Sequence, residues 1–121
     1  MNKKILLIED DLPLLRMYQI AFKKAGLRVL DALDGEEGLK KAKAEMPDLI
    51  LLDLVIPKKD GFEVLKELKG DPKLNKVPVF CLTVLHQAED IKKSQELGAD
   101  DYLVKTDSLP EQVVTKVMAR L

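Results

Sequence analysis

The sequence has little cysteine and histidine, since Cys81 and His86 are the only representatives of each among 121 residues. A single cysteine excludes an internal disulfide and is consistent with a reducing cytoplasm. Cys81 lies in the apolar stretch 79–82, which predicts a small core residue rather than a nucleophile. Because zinc sites are built mainly from histidine and cysteine, a zinc centre is not expected.

The sequence also lacks an excess of either charge, and it lacks long apolar runs. The 20 basic and 21 acidic side chains leave a formal charge of −1, so electrostatics give no general reason to expect nucleic acid or an anionic membrane as a partner. Acids interrupt the apolar run 5–8, which argues against a signal peptide, and no stretch approaches the ~18 apolar residues of a membrane span. We expect a cytoplasmic protein that neither binds nucleic acid directly nor inserts into a membrane.

The sequence does contain ample apolar material, 46% of its residues, in short runs that alternate with helical patterns. Each predicted strand is followed by a predicted helix, and the strands lie at 5–8, 28–33, 48–53, 79–82 and 102–104. This alternation predicts one α/β domain with a parallel sheet and helices on both faces.

The last two helices carry specific predictions. In the helix predicted at 88–97, only Ile91 and Leu97 are large and apolar, which predicts that it packs lightly. Ser108 and Glu111 have the spacing of a capping box at the start of the final helix.

Polar residues follow four of the predicted strands: Glu9 and Asp10, Asp53, Thr83, and Lys105. In open parallel sheets, ligands bind outside the carboxyl ends of the strands. Each residue alone has an ordinary explanation, such as a helix cap or a surface charge. Together they place carboxylates, a hydroxyl and an ammonium group at one edge of the sheet, which indicates a functional site.

Converging carboxylates repel one another and resist ionisation unless a cation compensates their charge. Magnesium suits such a cluster because it takes one or two carboxylates plus waters and leaves positions open for phosphate oxygens. The cluster therefore favours phosphoryl chemistry.

Four motifs occur in order along the chain, at 8–11, 53–61, 82–83 and 98–105. With these motifs the whole chain resembles a receiver domain of the two-component response regulators, the CheY-like family. The resemblance implies a flavodoxin-like, doubly wound sheet of five parallel strands in the order 2-1-3-4-5, with five helices.

The resemblance also implies how the site works. Asp53 would be the phosphoacceptor, attacking the phosphohistidine of a sensor histidine kinase or a histidine phosphotransfer protein. The ligands of Mg²⁺, or of Mn²⁺ in its place, would be Asp10, Asp53 and the backbone carbonyl of Val55, with Glu9 acting directly or through water.

Further roles follow from the same resemblance. Thr83 and Lys105 would contact the phosphoryl oxygens. Thr83 and Tyr102 would then act as a switch that changes the face formed by the fourth helix, fifth strand and fifth helix. That face would bind an unknown downstream protein target, and the protein would be a monomer or a phosphorylation-dependent dimer.

Two departures from the family pattern matter. Thr106 stands where a proline in a cis peptide is usual, and a cis bond before a non-proline costs ~3–4 kcal/mol, so this loop either carries that strain or forms a trans turn. Val55 and Leu85, two residues after Asp53 and Thr83, are both apolar and offer no hydrogen bond to an attacking water. We therefore predict slow hydrolysis of the phosphorylated form.

Residues 1–121 are expected to form a single receiver domain without an output domain, either standing alone or excised from a longer chain. Its only catalysis would be its own phosphorylation and dephosphorylation. The residues leave two alternatives: a magnesium-dependent phosphatase or nuclease that uses the same acids, and a scaffold that no longer takes phosphate.

Overall fold

A five-stranded parallel sheet forms the centre of the molecule. The computed structural model describes residues 3–121, and its strands are β1 (Lys4–Ile8), β2 (Arg28–Ala32), β3 (Leu49–Leu52), β4 (Val79–Thr83) and β5 (Asp101–Val104). They pair in the order β2-β1-β3-β4-β5, which confirms the predicted flavodoxin-like fold.

Each strand is followed by a helix: α1 (Leu12–Lys24), α2 (Gly35–Glu45), α3 (Gly61–Gly70), α4 (Ala88–Glu96) and α5 (Pro110–Arg120). A short 3₁₀ turn, Lys105–Asp107, lies between β5 and α5. Within residues 3–121, none of these helices is long and apolar enough to cross a membrane.

The core lies on both faces of the sheet. Even-numbered residues of β1 and β3 pack with the buried side chains of α2 and α3, whereas odd-numbered residues pack with those of α1 and α5. Strands buried on both faces have continuous apolar runs rather than an alternating pattern. This packing explains the runs at 5–8 and 49–52, and polar residues begin where these runs end, at Glu9 and Asp53.

Aspartates begin three of the helices. Asp11, Asp34 and Asp60 each accept a hydrogen bond from a backbone N–H of the first turn of α1, α2 and α3, respectively. Such caps satisfy backbone donors that the helix itself leaves free. Because Asp11 is the cap of α1, Glu9 and Asp10 remain in the loop between β1 and α1.

The predicted capping box of the last helix was wrong by one residue. Helix α5 begins at Pro110, and the backbone N–H of Leu109 donates to Gln112 Oε1 at 2.8 Å, so Ser108 and Glu111 do not form the box. Proline is favoured at the first helical position because its missing N–H costs nothing there. Pro110 therefore sets the start of the helix and moves the cap to Leu109.

Helix α4 packs lightly, as predicted. All of its residues are described, and Ser94 alone is buried; the Ser94 hydroxyl donates to the carbonyl of Ile91 at 2.7 Å. Gln87, the residue before the helix, forms no side-chain cap hydrogen bond. The helix contacts α3 through the Lys93 ammonium, which lies 4.4 Å from the centre of the Phe62 ring.

A polar clamp joins elements at the amino end of the sheet. Asp100 Oδ2 accepts hydrogen bonds from Lys69 Nζ and from the backbone N–H of Val79, both at 2.8 Å. Lys69 also donates to the carbonyl of Val77 at 3.0 Å. These contacts, the Asp100 clamp, tie the end of α3 to the starts of β4 and β5.

Candidate functional site

The sheet register brings the predicted site residues to its carboxyl edge. Glu9, Asp53 and Lys105 each follow the last residue of β1, β3 and β5, respectively, and Thr83 is the last residue of β4. These strands are neighbours in the sheet: Ile8 pairs with Leu52 and Thr83 pairs with Val104, while Leu52 pairs with Cys81, two residues before the end of β4.

The Lys105 ammonium lies between two carboxylates. Its Nζ is 2.7 Å from Asp53 Oδ2 and 2.5 Å from Glu9 Oε1. The three side chains are 12% (Lys105), 5% (Asp53) and 2% (Glu9) exposed, so these ion pairs are largely shielded from water. The remaining oxygens also have donors: the Val55 N–H donates to Asp53 Oδ1 at 3.0 Å, and the Asp11 N–H donates to Glu9 Oε2 at 3.2 Å.

Burial and mutual charge shift the pKa values of this cluster. Burial raises the pKa of Glu9 above its usual value; the hydrogen bond from Lys105 opposes this effect, and the nearby charge of Asp53 adds to it. Burial lowers the pKa of Lys105, but its hydrogen bonds to Asp53 and Glu9 more than offset this, and the net pKa is raised. Lys105 is therefore a permanent cation at neutral pH.

The acidic residues form an all-oxygen donor set. Glu9, Asp10 and Asp53 each offer one carboxylate oxygen, and these oxygens lie within 4.8 Å of one another. Asp10 is exposed, so the cluster opens to solvent on its side. One ammonium does not neutralise three carboxylates. The residues present therefore fit a hard divalent cation such as Mg²⁺.

Thr83 and Tyr102 both bond to the backbone of Leu85. The buried Thr83 hydroxyl accepts a 3.4 Å hydrogen bond from the Leu85 N–H, and the half-buried Tyr102 hydroxyl donates to the Leu85 carbonyl at 2.9 Å. Burial and the charge of Asp90 raise the pKa of Tyr102 to about 12, so its phenol remains a donor. The loop after β4 thus joins the two residues predicted to switch.

The structure resolves the two alternatives for the loop after Lys105. Within residues 3–121 every peptide bond is trans, including Lys105–Thr106, so the loop forms a trans turn. Lys105 nevertheless reaches Asp53. The sequence did not reveal its pairing with Glu9, because the two residues follow β1 and β5, which are separated in the sheet by β3 and β4.

Cys81 and His86, the single cysteine and the single histidine, show no sign of a role in the site. Cys81 is fully buried in the core, and burial raises its thiol pKa to about 12, which confirms a structural residue rather than a nucleophile. His86 is exposed in the loop after β4.

Fold and site together define a doubly wound α/β protein with an acidic cluster and a lysine at the carboxyl edge of its sheet. The sequence pattern of the family described as response regulator receiver domain matches residues 5–117, so the chain belongs to that family.

Its relatives include transcriptional regulators. The chain is 43% identical over 121 residues to the alkaline phosphatase synthesis transcriptional regulatory protein PhoP of Bacillus subtilis, covering 100% of this chain and 49% of PhoP. It is 40% identical over 118 residues to the DNA-binding dual master transcriptional regulator RpaA of Synechocystis, covering 98% of this chain and 48% of RpaA. The chain thus spans about half the length of these relatives.

Solved structures agree with the fold. The chemotaxis protein CheY4 of Vibrio cholerae superposes with a TM-score of 0.92 at 28% identity, covering 100% of both chains. The Mn²⁺-bound form of response regulator Rcp1 superposes with a TM-score of 0.86 at 35% identity, covering 97% of this chain and 92% of that one.

Proposed function

We propose that residues 1–121 form a receiver unit that accepts a phosphoryl group on Asp53 from a phosphohistidine. The donor would be a sensor histidine kinase or a histidine phosphotransfer protein. The observation that carries the proposal is the Asp53 carboxylate itself, which lies 2.7 Å from the Lys105 ammonium and within 4.8 Å of the Glu9 and Asp10 oxygens.

The proposed reaction is an in-line displacement at phosphorus. An Asp53 oxygen forms a bond to phosphorus, the P–N bond to the donor imidazole breaks, and the donor leaves as neutral histidine after taking up a proton. Lys105 would contact the transferred oxygens and offset their charge, and the Thr83 hydroxyl would donate to one of them.

The acidic cluster would hold Mg²⁺, or Mn²⁺ as in the related Rcp1 structure. Its ligands would be Asp10, Asp53 and the Val55 carbonyl, with Glu9 contributing directly or through water. When bound, such an ion supplies positive charge against the phosphoryl oxygens.

The same contacts suggest how the signal leaves the site. A phosphoryl group that accepts the Thr83 hydroxyl proton would draw this side chain toward Asp53 and away from the Leu85 N–H, and the carbonyl of the same Leu85 accepts the Tyr102 hydroxyl. Helix α4 follows this loop and is buried at one residue only, so little packing opposes its movement. We propose that α4, β5 and α5 form the face that a downstream protein reads.

The first experiment is phosphorylation with acetyl phosphate and magnesium, followed by intact-protein mass spectrometry. Wild-type protein should gain one phosphoryl group that is lost on treatment with hydroxylamine, as expected for an acyl phosphate. Asp53→Asn and chelation of the metal should each abolish the gain, whereas Asp107→Asn, a control on the exposed turn before α5, should not.

Transfer from a phosphorylated histidine kinase domain then tests the proposed donor. Unchanged incorporation in Asp53→Asn would contradict the assignment of the acceptor. Steady turnover of an added phosphoester would instead indicate a phosphatase.

A further inference from the structure

Exposed apolar side chains are concentrated on α1 and α5. Nine large apolar side chains are exposed among residues 3–121, and five of them belong to these two helices or to the residue before α5: Leu12, Met17, Ile20, Leu109 and Met118. Single exposed apolar residues are common, but several on one surface indicate an interaction site. Met17 and Ile20 are 50% and 59% exposed, and they lie about one turn apart on the same side of α1.

Met17 and Ile20 line a groove between the two helices, the α1/α5 groove. It has a volume of about 590 Å³, and Val114 of α5 lines its other side. Lys24, the last residue of α1, and Glu111, the second residue of α5, are also part of its lining. The groove lies on the side of α5 that faces α1, whereas Lys116 lies on the side that faces β5.

The two charges of the groove lie at opposite ends. Helix α1 begins at the carboxyl edge of the sheet, after β1, and α5 begins at the same edge, after β5. At the end of α5, Arg120 contacts Asp100 at the amino edge, so both helices run in the same direction. Glu111 is therefore at the carboxyl end of the groove and Lys24 at the amino end. Within residues 3–121, neither side chain takes part in an ion pair.

A groove with this arrangement is complementary to itself. In a two-fold dimer the same surface of both copies meets, and an axis that crosses the groove at right angles reverses its direction in the second copy. Lys24 of each copy then faces Glu111 of the other, and the apolar side chains of both copies meet at the centre. An axis along the groove would instead bring like charges together, which is unfavourable.

We propose that the α1/α5 groove binds a second copy of this chain, in a symmetric dimer in which Lys24 of each copy pairs with Glu111 of the other. Two helices from each copy would pack as a four-helix arrangement. The groove contains no residue of the acidic site, so this dimer is independent of the proposed phosphorylation of Asp53. Its charges are at the solvated rim and its apolar centre is small, so we expect half-dimerisation on the order of 100 μM.

Sedimentation of unphosphorylated protein from about 10 μM to about 1 mM tests the dimer. Met17→Lys should weaken it at least about tenfold, because each copy would bring a charge into the apolar centre. Met46→Lys is the matched control, since Met46 is 44% exposed and caps α2, which packs on the opposite face of the sheet. A wild-type protein that stays monomeric, or equal dissociation constants for the two variants, would overturn the proposal.

Charge reversal tests the orientation of the two copies. Lys24→Glu and Glu111→Lys should each weaken the dimer by about tenfold, because like charges then face each other at both ends. Combining the two substitutions should restore the dissociation constant to within about threefold of wild type. Lys73→Glu, which reverses an exposed charge in the loop after α3, controls for net charge and should have no effect. A double variant as weak as the single ones would show that these residues do not meet across the dimer.

Two further measurements separate this dimer from other events. In wild-type protein, the methyl NMR signal of Met17 should shift with concentration while that of Met46 stays constant, a readout that needs no variant. Asp53→Asn should dimerise as wild type does, whether or not the proposed phosphorylation occurs. A dimer that forms only when Asp53 is phosphorylated, or a groove covered only by a different protein, would overturn the inference.

Discussion

At the scale of single residues, we expect Val55 and Leu85 to govern how water reaches the proposed acyl phosphate. Val55 is 52% exposed and its backbone N–H bonds to Asp53, while Leu85 is half-buried in the loop after β4. Neither side chain can orient an attacking water by hydrogen bonding. Hydrolysis of the acyl phosphate should therefore be slow.

The double substitution Val55→Asn, Leu85→Glu should shorten the lifetime of the phosphorylated form by roughly tenfold, a modest part of what a positioned proton acceptor contributes. The measurement follows loss of phosphate from phosphorylated protein by mass spectrometry. Ile20→Asn, which changes an exposed side chain on α1, is the control and should leave the lifetime unchanged. Equal lifetimes in the double variant and wild type would contradict the prediction.

At the scale of elements, the Asp100 clamp contributes stability that depends on pH. Burial raises the pKa of Asp100, but the hydrogen bonds from Lys69 and Val79 outweigh it and hold the pKa below its usual range. A carboxylate with a lowered pKa stabilises the fold above its unfolded pKa, about 4. That stability is lost as pH falls through the lower folded value.

Asp100→Asn should therefore lower the free energy of unfolding by about 1 kcal/mol at pH 7, a reduced value because the carboxylate is partly solvated. The difference from wild type should stay constant down to about pH 5 and shrink below about pH 4. Urea titrations across this range provide the measurement, and Asp107→Asn is the exposed control. A difference that grows on acidification would contradict the clamp.

Element boundaries show what the sequence could predict. The strands were predictable because residues buried on both faces of a sheet need unbroken apolar runs, as in β3. The start of α5 could not be predicted, because Ser108 and Pro110 indicate different starting points for the helix. The helix begins at Pro110. The light packing of α4 was predictable, since a helix with two large apolar residues has little to bury.

At the scale of the whole molecule, stability is distributed unevenly. Helix α1 buries Leu15, Tyr18 and Phe22, whereas α4 buries Ser94 alone. Local opening requires less free energy where fewer apolar contacts are lost. The backbone amides of α4 should exchange with deuterium at least about tenfold faster than those of α1, as measured by NMR or mass spectrometry. Equal protection of the two helices would contradict this prediction.

The position of the site could be predicted from the sequence, but the contacts between its side chains could not. Residues at the ends of neighbouring parallel strands must lie at one edge, which places Glu9 near Asp53 whatever their rotamers. The pairing of Lys105 with Glu9 depends on the path of a long side chain from a turn that lacks the usual proline. No periodicity or motif encodes that path.

The bonds from Thr83 and Tyr102 end on main-chain atoms of Leu85, the N–H and the carbonyl, and none ends on its side chain. Every amino acid except proline supplies both atoms. We therefore expect that the side chain at position 85, and with it the lifetime of the proposed phosphorylated form, can change while both main-chain contacts to Thr83 and Tyr102 are kept. In the proposed switch, the duration of a response and its transmission to Tyr102 would then vary independently at this one position.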